Sequence, residues 1–255
     1  MSNPLALVLL EKPVTPDMSA VTRALHARHP ELRTEFGGRE DQSPAGSPLI
    51  RCGDHLVAVM SMPAPIPEDA GLWSRTTTTW PDGKMVAARH RGHLIVSALG
   101  QGEKRLPAAR TSTAVVGALI AAIPECCGVV WDAKVARPAR LWLDMSRQSF
   151  APFPDYPFTL WVDILPFRTE TGIGAVTMGL SAFAGREIEF ETEKLTLRAM
   201  LDKVAGLAAY LVEHGPVVSD GDTIGSSETE RFTVRHMTSP QFSGLPVLFV
   251  SAATA

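Results

Sequence analysis

Apolar positions along this chain recur with two spacings. Short apolar or alternating runs predict strands at Leu5–Leu10, Leu49–Arg51, Leu56–Met62, His93–Leu99, Gly128–Trp131, Phe158–Leu165, Ala175–Leu180, Arg231–His236 and Pro246–Ser251. Helical spacing instead joins Met18, Val21 and Leu25, with Thr15 read as N-cap and Pro30 as the stop. The same spacing predicts helices over Thr111–Ile123 and Pro138–Arg147. A third takes in Leu197, Met200, Leu201, Val204, Ala208 and Leu211 and ends near Gly215. Glu68–Arg89 gives no single answer, because Thr76–Thr79 favours strand while its flanks favour helix, and Pro81, Asp82 and Gly83 break either one. Loops are expected at Glu40–Pro48 and Gly100–Pro107, and Met62–Pro67 (MPAPIP) reads as a rigid exit from a sheet.

Together these elements predict an α+β protein whose sheet is mixed but largely antiparallel and is covered by helices. The expected organisation is a single compact domain over residues 1–255, with two halves (1–150 and 158–255) meeting at the proline-rich connector Pro152–Pro157. At 45% hydrophobic and 20% charged, the chain has enough apolar surface for a real core. The net charge of -3 and the lack of a Lys/Arg run argue against nucleic acid as a partner. No stretch has the length of a membrane span, and Leu5–Leu10 lacks the basic flank and length of a signal peptide. Three cysteines, two of them adjacent, fit a reducing compartment, so the expected location is the cytoplasm.

Leu160–Glu191 concentrates the sequence signals. Glu187, Ile188, Glu189, Phe190 and Glu191 alternate strictly, which places the three glutamates on one strand face and the two apolar residues on the other. The carboxylate face is expected to be solvated; a cation site or a docking strip for a basic partner are the functional alternatives. Arg89, His90, Arg91 and His93 form the densest cationic and imidazole group, either capping a helix and bonding across a sheet or gathering at an anionic ligand. Cys52, Cys126 and Cys127 read as buried thiols; adjacent strand cysteines point to opposite faces and do not make a CxxC pair. Asp132, Asp144, Asp163, Glu187 and Glu189 are the carboxylates available for pairing, and the five tryptophans are expected as core or interface anchors. There is no G-x-S-x-G elbow, Walker loop, H-E-x-x-H or Rossmann fingerprint, and Gly100-Gln101-Gly102 before Lys104 and Arg105 reads as an ordinary surface loop.

The runs Leu160–Ile164 (LWVDI) and Gly179–Phe190 (GLSAFAGREIEF), with Met62–Pro67 and Arg89–Ser97 upstream, resemble the bacterial family called domain of unknown function 4261. The resemblance runs from about Leu5 to about Val212 and is strongest at Gly179, Leu180, Phe183, Gly185, Glu187, Ile188 and Glu189. It implies a bacterial, cytoplasmic protein and brings no catalytic residue with it.

The leading expectation is therefore a non-catalytic protein-interaction module, immunity- or adaptor-like, that binds a protein partner through Glu187, Glu189, Glu191, Arg89 and Arg91 without metal or cofactor. The alternative is an enzyme acting on a small anionic substrate, with His90 and His93 as acid and base and Arg89 or Arg91 as anion clamp; it requires these side chains to converge in one pocket with a carboxylate behind a histidine. A homo-oligomeric structural protein is the third reading.

Overall fold

The structure is a computed structural model that describes residues 4–36, 48–67, 70–75, 79–99, 105–227 and 230–252. Of the expected loops Glu40–Pro48 and Gly100–Pro107, the parts Glu40–Ser47 and Gly100–Lys104 lie outside the described residues, as does the run Thr76–Thr78. The chain divides into two compact units, Met1–Leu160 and Trp161–Ala255.

The first unit runs β1 (Leu5–Leu10), α1 (Met18–Arg28), β2 (Thr34–Phe36), β3 (Leu49–Cys52), β4 (His55–Met62), α2 (Ala70–Arg75), α3 (Gly83–Arg89), β5 (Gly92–Leu99), α4 (Arg105–Ala122), β6 (Cys126–Trp131), β7 (Val135–Pro138) and α5 (Ala139–Met145). Its sheet has the order β2-β3-β4-β5-β1-β6-β7, with every neighbouring pair antiparallel. The apolar run of β1 suits a central strand, and Ala6, Val8, Leu9 and Leu10 are fully buried. Helix α4 packs on β4, β5 and β1 and touches α1 and α5. Its residues from Thr111 to Leu119 are all buried, so the apolar run Ala114–Leu119 and the small hydroxyl residues Thr111–Thr113 before it face the interior on every side.

Helices α2 and α3 settle the ambiguous segment through tertiary packing. Leu72, Trp73, Trp80 and Ala87 form one cluster with Leu9, Val130 and Ala136 of the sheet. Trp80 lies directly over Gly128, where an added Cβ would fall 2.3 Å from the indole Cη2. Trp73 meets Trp80 edge-on with centroids 6.2 Å apart.

Two helix starts differ from the sequence reading. Asp17 caps α1 rather than Thr15, accepting from the amides of Ser19 and Ala20. Helix α4 begins at Arg105 and takes Pro107 into its first turn, where a missing N–H costs nothing.

The second unit comprises β8 (Asp163–Arg168), β9 (Ile173–Met178), α6 (Ser181–Ala184), β10 (Glu187–Thr192), α7 (Leu197–His214), β11 (Thr223–Ser227), β12 (Glu230–Thr238) and β13 (Pro246–Ala252). Strand order is β11-β12-β13-β10-β9-β8, and only β10 and β13 run parallel. Phe158–Leu160, expected in a strand, is a 3₁₀ turn closed by Leu160 N–H to Pro157 O, so β8 begins three residues later. Helix α7 is capped by the Thr196 hydroxyl, ends at Gly215 (φ 78°) and packs on β8, β9 and β10. Two mostly antiparallel sheets with seven helices among the described residues make this an α+β protein, as the periodicities predicted.

Candidate functional site

The acidic alternation of β10 forms the expected strand, but the expected solvated face is not there. Glu187 and Glu189 are both fully buried and Glu191 is half-buried. By register, Val176 of β9 and Phe249 of β13 flank Glu189, so an apolar environment surrounds what the sequence placed in water. Alternation assigns side chains to faces; which face meets solvent depends on what packs against it.

Glu187 is fully accounted for by hydrogen bonds. Its Oε1 accepts from the amides of Gly179 and Ser181 at 2.9 and 3.2 Å, and its Oε2 from the Leu180 amide and the Thr177 hydroxyl at 3.0 and 2.8 Å. The carboxylate thereby satisfies the free N–H groups at the start of α6, a charge-assisted cap supplied from a neighbouring strand. Gly179 (φ 101°) and Gly185 (φ 75°) occupy backbone conformations that glycine favours at either end of this turn. Phe183 stacks on Trp161 with centroids 5.8 Å apart. The G-L-x-x-F-x-G-x-E-I-E run is thus a folding unit.

Glu189 is the exception. Both carboxylate oxygens are buried and neither has a partner in hydrogen-bonding geometry. Burial pushes its pKa up, the nearby Ser239 hydroxyl pulls it down, and Glu191 pushes it up again.

His90 and His93 do gather at one segment, the proline-rich Met62–Pro67, but as structural ties. His90 accepts from the Ile66 amide at Nε2 (2.7 Å) and donates to the Ala87 carbonyl from Nδ1. His93 donates from Nδ1 to the Ala64 carbonyl at 2.8 Å. These partners are main-chain groups, so no carboxylate stands behind either imidazole through these bonds, and His90 has no ring nitrogen left over for proton transfer. A chain without N–H at Pro63, Pro65 and Pro67 cannot join a ladder, and the two histidines fasten it to the sheet instead. A cavity of about 280 Å³ lined by Ile66, Trp73, Lys84 and His90 lies alongside, while Arg89 and Arg91 are exposed and are not among its lining.

The remaining candidates are structural too. Asp132 accepts from the Leu5 amide at 2.9 Å and pairs with Arg105, pinning the ends of β1 and α4 to a turn in which Asp132 (φ 48°) and Ala133 (φ 53°) are both left-handed. Asp163 accepts from its neighbour's amide, Ile164, at 3.1 Å. Burial pushes the thiols of Cys52 and Cys126 up to about 12 and that of Cys127 up to about 11. Trp131, Trp142 and Trp161 are fully buried, and Trp73 and Trp80 nearly so, which makes all five core anchors. Among the described residues no group of three or more His, Cys, Asp or Glu is placed to hold a metal ion, and no helix is long and apolar enough to cross a membrane.

One open concavity stands apart from these closed arrangements. Between α7 and the β11–β12 hairpin lies a groove of about 610 Å³, floored by Phe190 and Phe232 (centroids 4.9 Å apart) and walled by Leu207, Tyr210, Val217 and Ile224. Tyr210 is 42% and Val217 51% exposed, and both face the same groove. Lys203 carries its ammonium 5.7 Å from the Phe232 ring centroid, and Asp222 stands on the hairpin side, where it accepts from the Ser219 amide at 2.7 Å. Along the groove runs β11, the end strand of its sheet, which holds no proline or charged residue; the opposite edge strand, β8, contains Pro166 and Arg168. The sequence reading missed this groove, although Tyr210 and Val217 break the helical apolar stripe and lie beyond it.

The motif unit, α7 and the groove all fall within one continuous segment. Residues 176–250 match the family described as Domain of unknown function (DUF4261). The match bears out the resemblance to that family, over an extent different from the one read in the sequence. No curated protein and no solved structure matches the chain. The family segment contains every residue that lines the groove, so the groove is a feature of the part of the chain that carries the family likeness.

Proposed function

We propose that this protein is a non-catalytic, cytoplasmic bacterial module that docks an extended apolar segment of a partner polypeptide in the groove between α7 and the β11–β12 hairpin. The observation that carries this reading is an unprotected edge strand lying beside a groove with an aromatic floor. A polypeptide satisfies both features at once: its backbone continues the ladder at β11 while alternate side chains enter the groove. Lys203 and Asp222 offer one charge of each sign, matched by a segment carrying an acidic and a basic residue along its length. Glu187 and Glu189, engaged in or enclosed by the fold, take no part in docking, and Arg89 and Arg91 stand exposed on the other unit. Three unpaired cysteines fit a reducing compartment, and the bacterial assignment follows the family likeness. An immunity or adaptor role is the setting in which a small binding domain without catalytic groups is of use.

The test is co-purification from cells of the source organism with wild type, with Tyr210→Glu and Ile224→Lys, and with Arg89→Glu. The proposal expects one stoichiometric partner that is lost at least about tenfold with either groove variant and kept with Arg89→Glu, a loss of about 1.4 kcal/mol or more. Retention by both groove variants, or a protein that only self-associates, overturns it.

A further inference from the structure

Glu189 is the one residue of the strand motif that the fold leaves unexplained. Its carboxyl is fully buried with neither oxygen bonded, although burial of a bare carboxylate is among the costliest arrangements in a protein. Over the same region folds the tight turn that joins β12 to β13. The Ser239 hydroxyl accepts from the amides of Gln241 and Phe242 at 3.1 and 2.7 Å, and the Ser239 amide donates to the Leu245 carbonyl at 2.8 Å. Gln241 reaches Glu191 at 3.5 Å, and Phe242 meets Phe167 edge-on at 5.5 Å. Ser239, which makes the three bonds that close the turn, is also the hydroxyl that acts on Glu189.

We propose that Glu189 is a proton-linked latch for the Ser239–Leu245 turn. With its proton on, the neutral carboxyl sits under the closed turn at small cost. When the proton leaves to solvent, the resulting charge has no bonded donor under the closed turn, and hydrating it requires the turn to lift. The charges that face Glu189 do not supply a counter-ion. On its own strand stand Glu187, whose oxygens are taken, and Glu191, of like charge. The flanking strands present Val176 and Phe249; one strand further, the same face carries Asp163 on β8 and the exposed Arg235 on β12. Lys203 and the rest of the groove belong to the opposite, Phe190 face, so the latch is independent of the docking groove.

The test is amide exchange at Gln241 and Phe242 as a function of pH, corrected for intrinsic exchange, in wild type and in Glu189→Gln, with a ¹³C carboxyl titration of Glu189 in wild type. The expected result is protection that in wild type falls by up to about tenfold per pH unit, the slope of a single linked proton, between the ordinary carboxylate value and the raised Glu189 midpoint, levels off above that midpoint, and stays flat in Glu189→Gln. Flat protection in wild type, an equal fall in the variant, or a Glu189 carboxyl that titrates with the exposed carboxylates overturns the latch. The carboxyl titration needs no variant, so the proposal stays falsifiable if Glu189→Gln does not fold.

Discussion

Glu187 and Glu189 sit two positions apart on one strand face, equally buried, yet replacing each by glutamine is expected to change stability with opposite sign. In Glu187→Gln the side chain keeps its shape and loses an acceptor. Whichever way the amide turns, its NH2 faces two donors: the amides of Gly179 and Ser181, or the Leu180 amide and the Thr177 hydroxyl. The first orientation leaves the Gly179 and Ser181 N–H groups unpaired; the second costs less, because a hydroxyl can rotate, but Thr177 already accepts from Ile188 at 2.8 Å, and the Leu180 N–H is left unpaired there. An unsatisfied buried donor costs about 1–3 kcal/mol, and the remaining bonds lose their charge assistance, so the expected destabilisation is about 2–4 kcal/mol. Glu189→Gln removes no bond and takes away a charge that burial disfavours, so it is expected to leave stability unchanged or to raise it at neutral pH. Urea unfolding at pH 7, followed by tryptophan fluorescence, measures both. A Glu187→Gln protein within about 0.5 kcal/mol of wild type would refute the claim that this carboxylate caps α6, since that is the ordinary range of a surface change.

Other outcomes follow from particular contacts. Because the folded state raises the pKa of Glu189, its contribution to stability is fully present below the ordinary carboxylate value and is lost as pH rises through the raised one; wild type should therefore lose stability over that window relative to Glu189→Gln, as a urea series against pH would show. Gly128→Ala puts a methyl group into the Trp80 ring and is expected to cost about 1–3 kcal/mol with a shift in tryptophan emission, whereas unchanged stability would mean that Trp80 does not lie there. At pH 8 the three thiols should label with a maleimide far more slowly than free cysteine and react together on unfolding, because thiols at about 11 to 12 hold little thiolate; fast native labelling at Cys127 would contradict its environment. His90→Ala leaves the Ile66 amide without its partner, while the Ala87 carbonyl keeps the residue-90 N–H, so exchange at Ile66 should rise and stability fall by about 1–3 kcal/mol while partner capture persists; a loss of capture without loss of stability would return His90 to the functional site.

The sequence by itself determined what depends on neighbours in the chain. Leu5–Leu10, the Leu56–Met62 strand, the period-two order of Glu187–Glu191 and the α7 stripe from Leu197 to Leu211 are local patterns, and each formed the element it predicted. The α+β class followed from them. Tertiary structure decided what depends on residues far away. The stretch around Trp80 became helical because Leu72, Trp73 and Ala87 found a sheet to cover. Among the glutamates of β10, one meets three amides at Gly179–Ser181 and its buried neighbour lies between Val176 and Phe249 of the flanking strands. His90 and His93 came together at a proline-rich segment, and the histidine pair that resembled chemistry in the sequence became a pair of main-chain ties. The groove between α7 and β11 belongs to no single run of residues. Burial and convergence are properties of surfaces brought together across tens of residues, and periodicity reports only which side of an element a residue occupies.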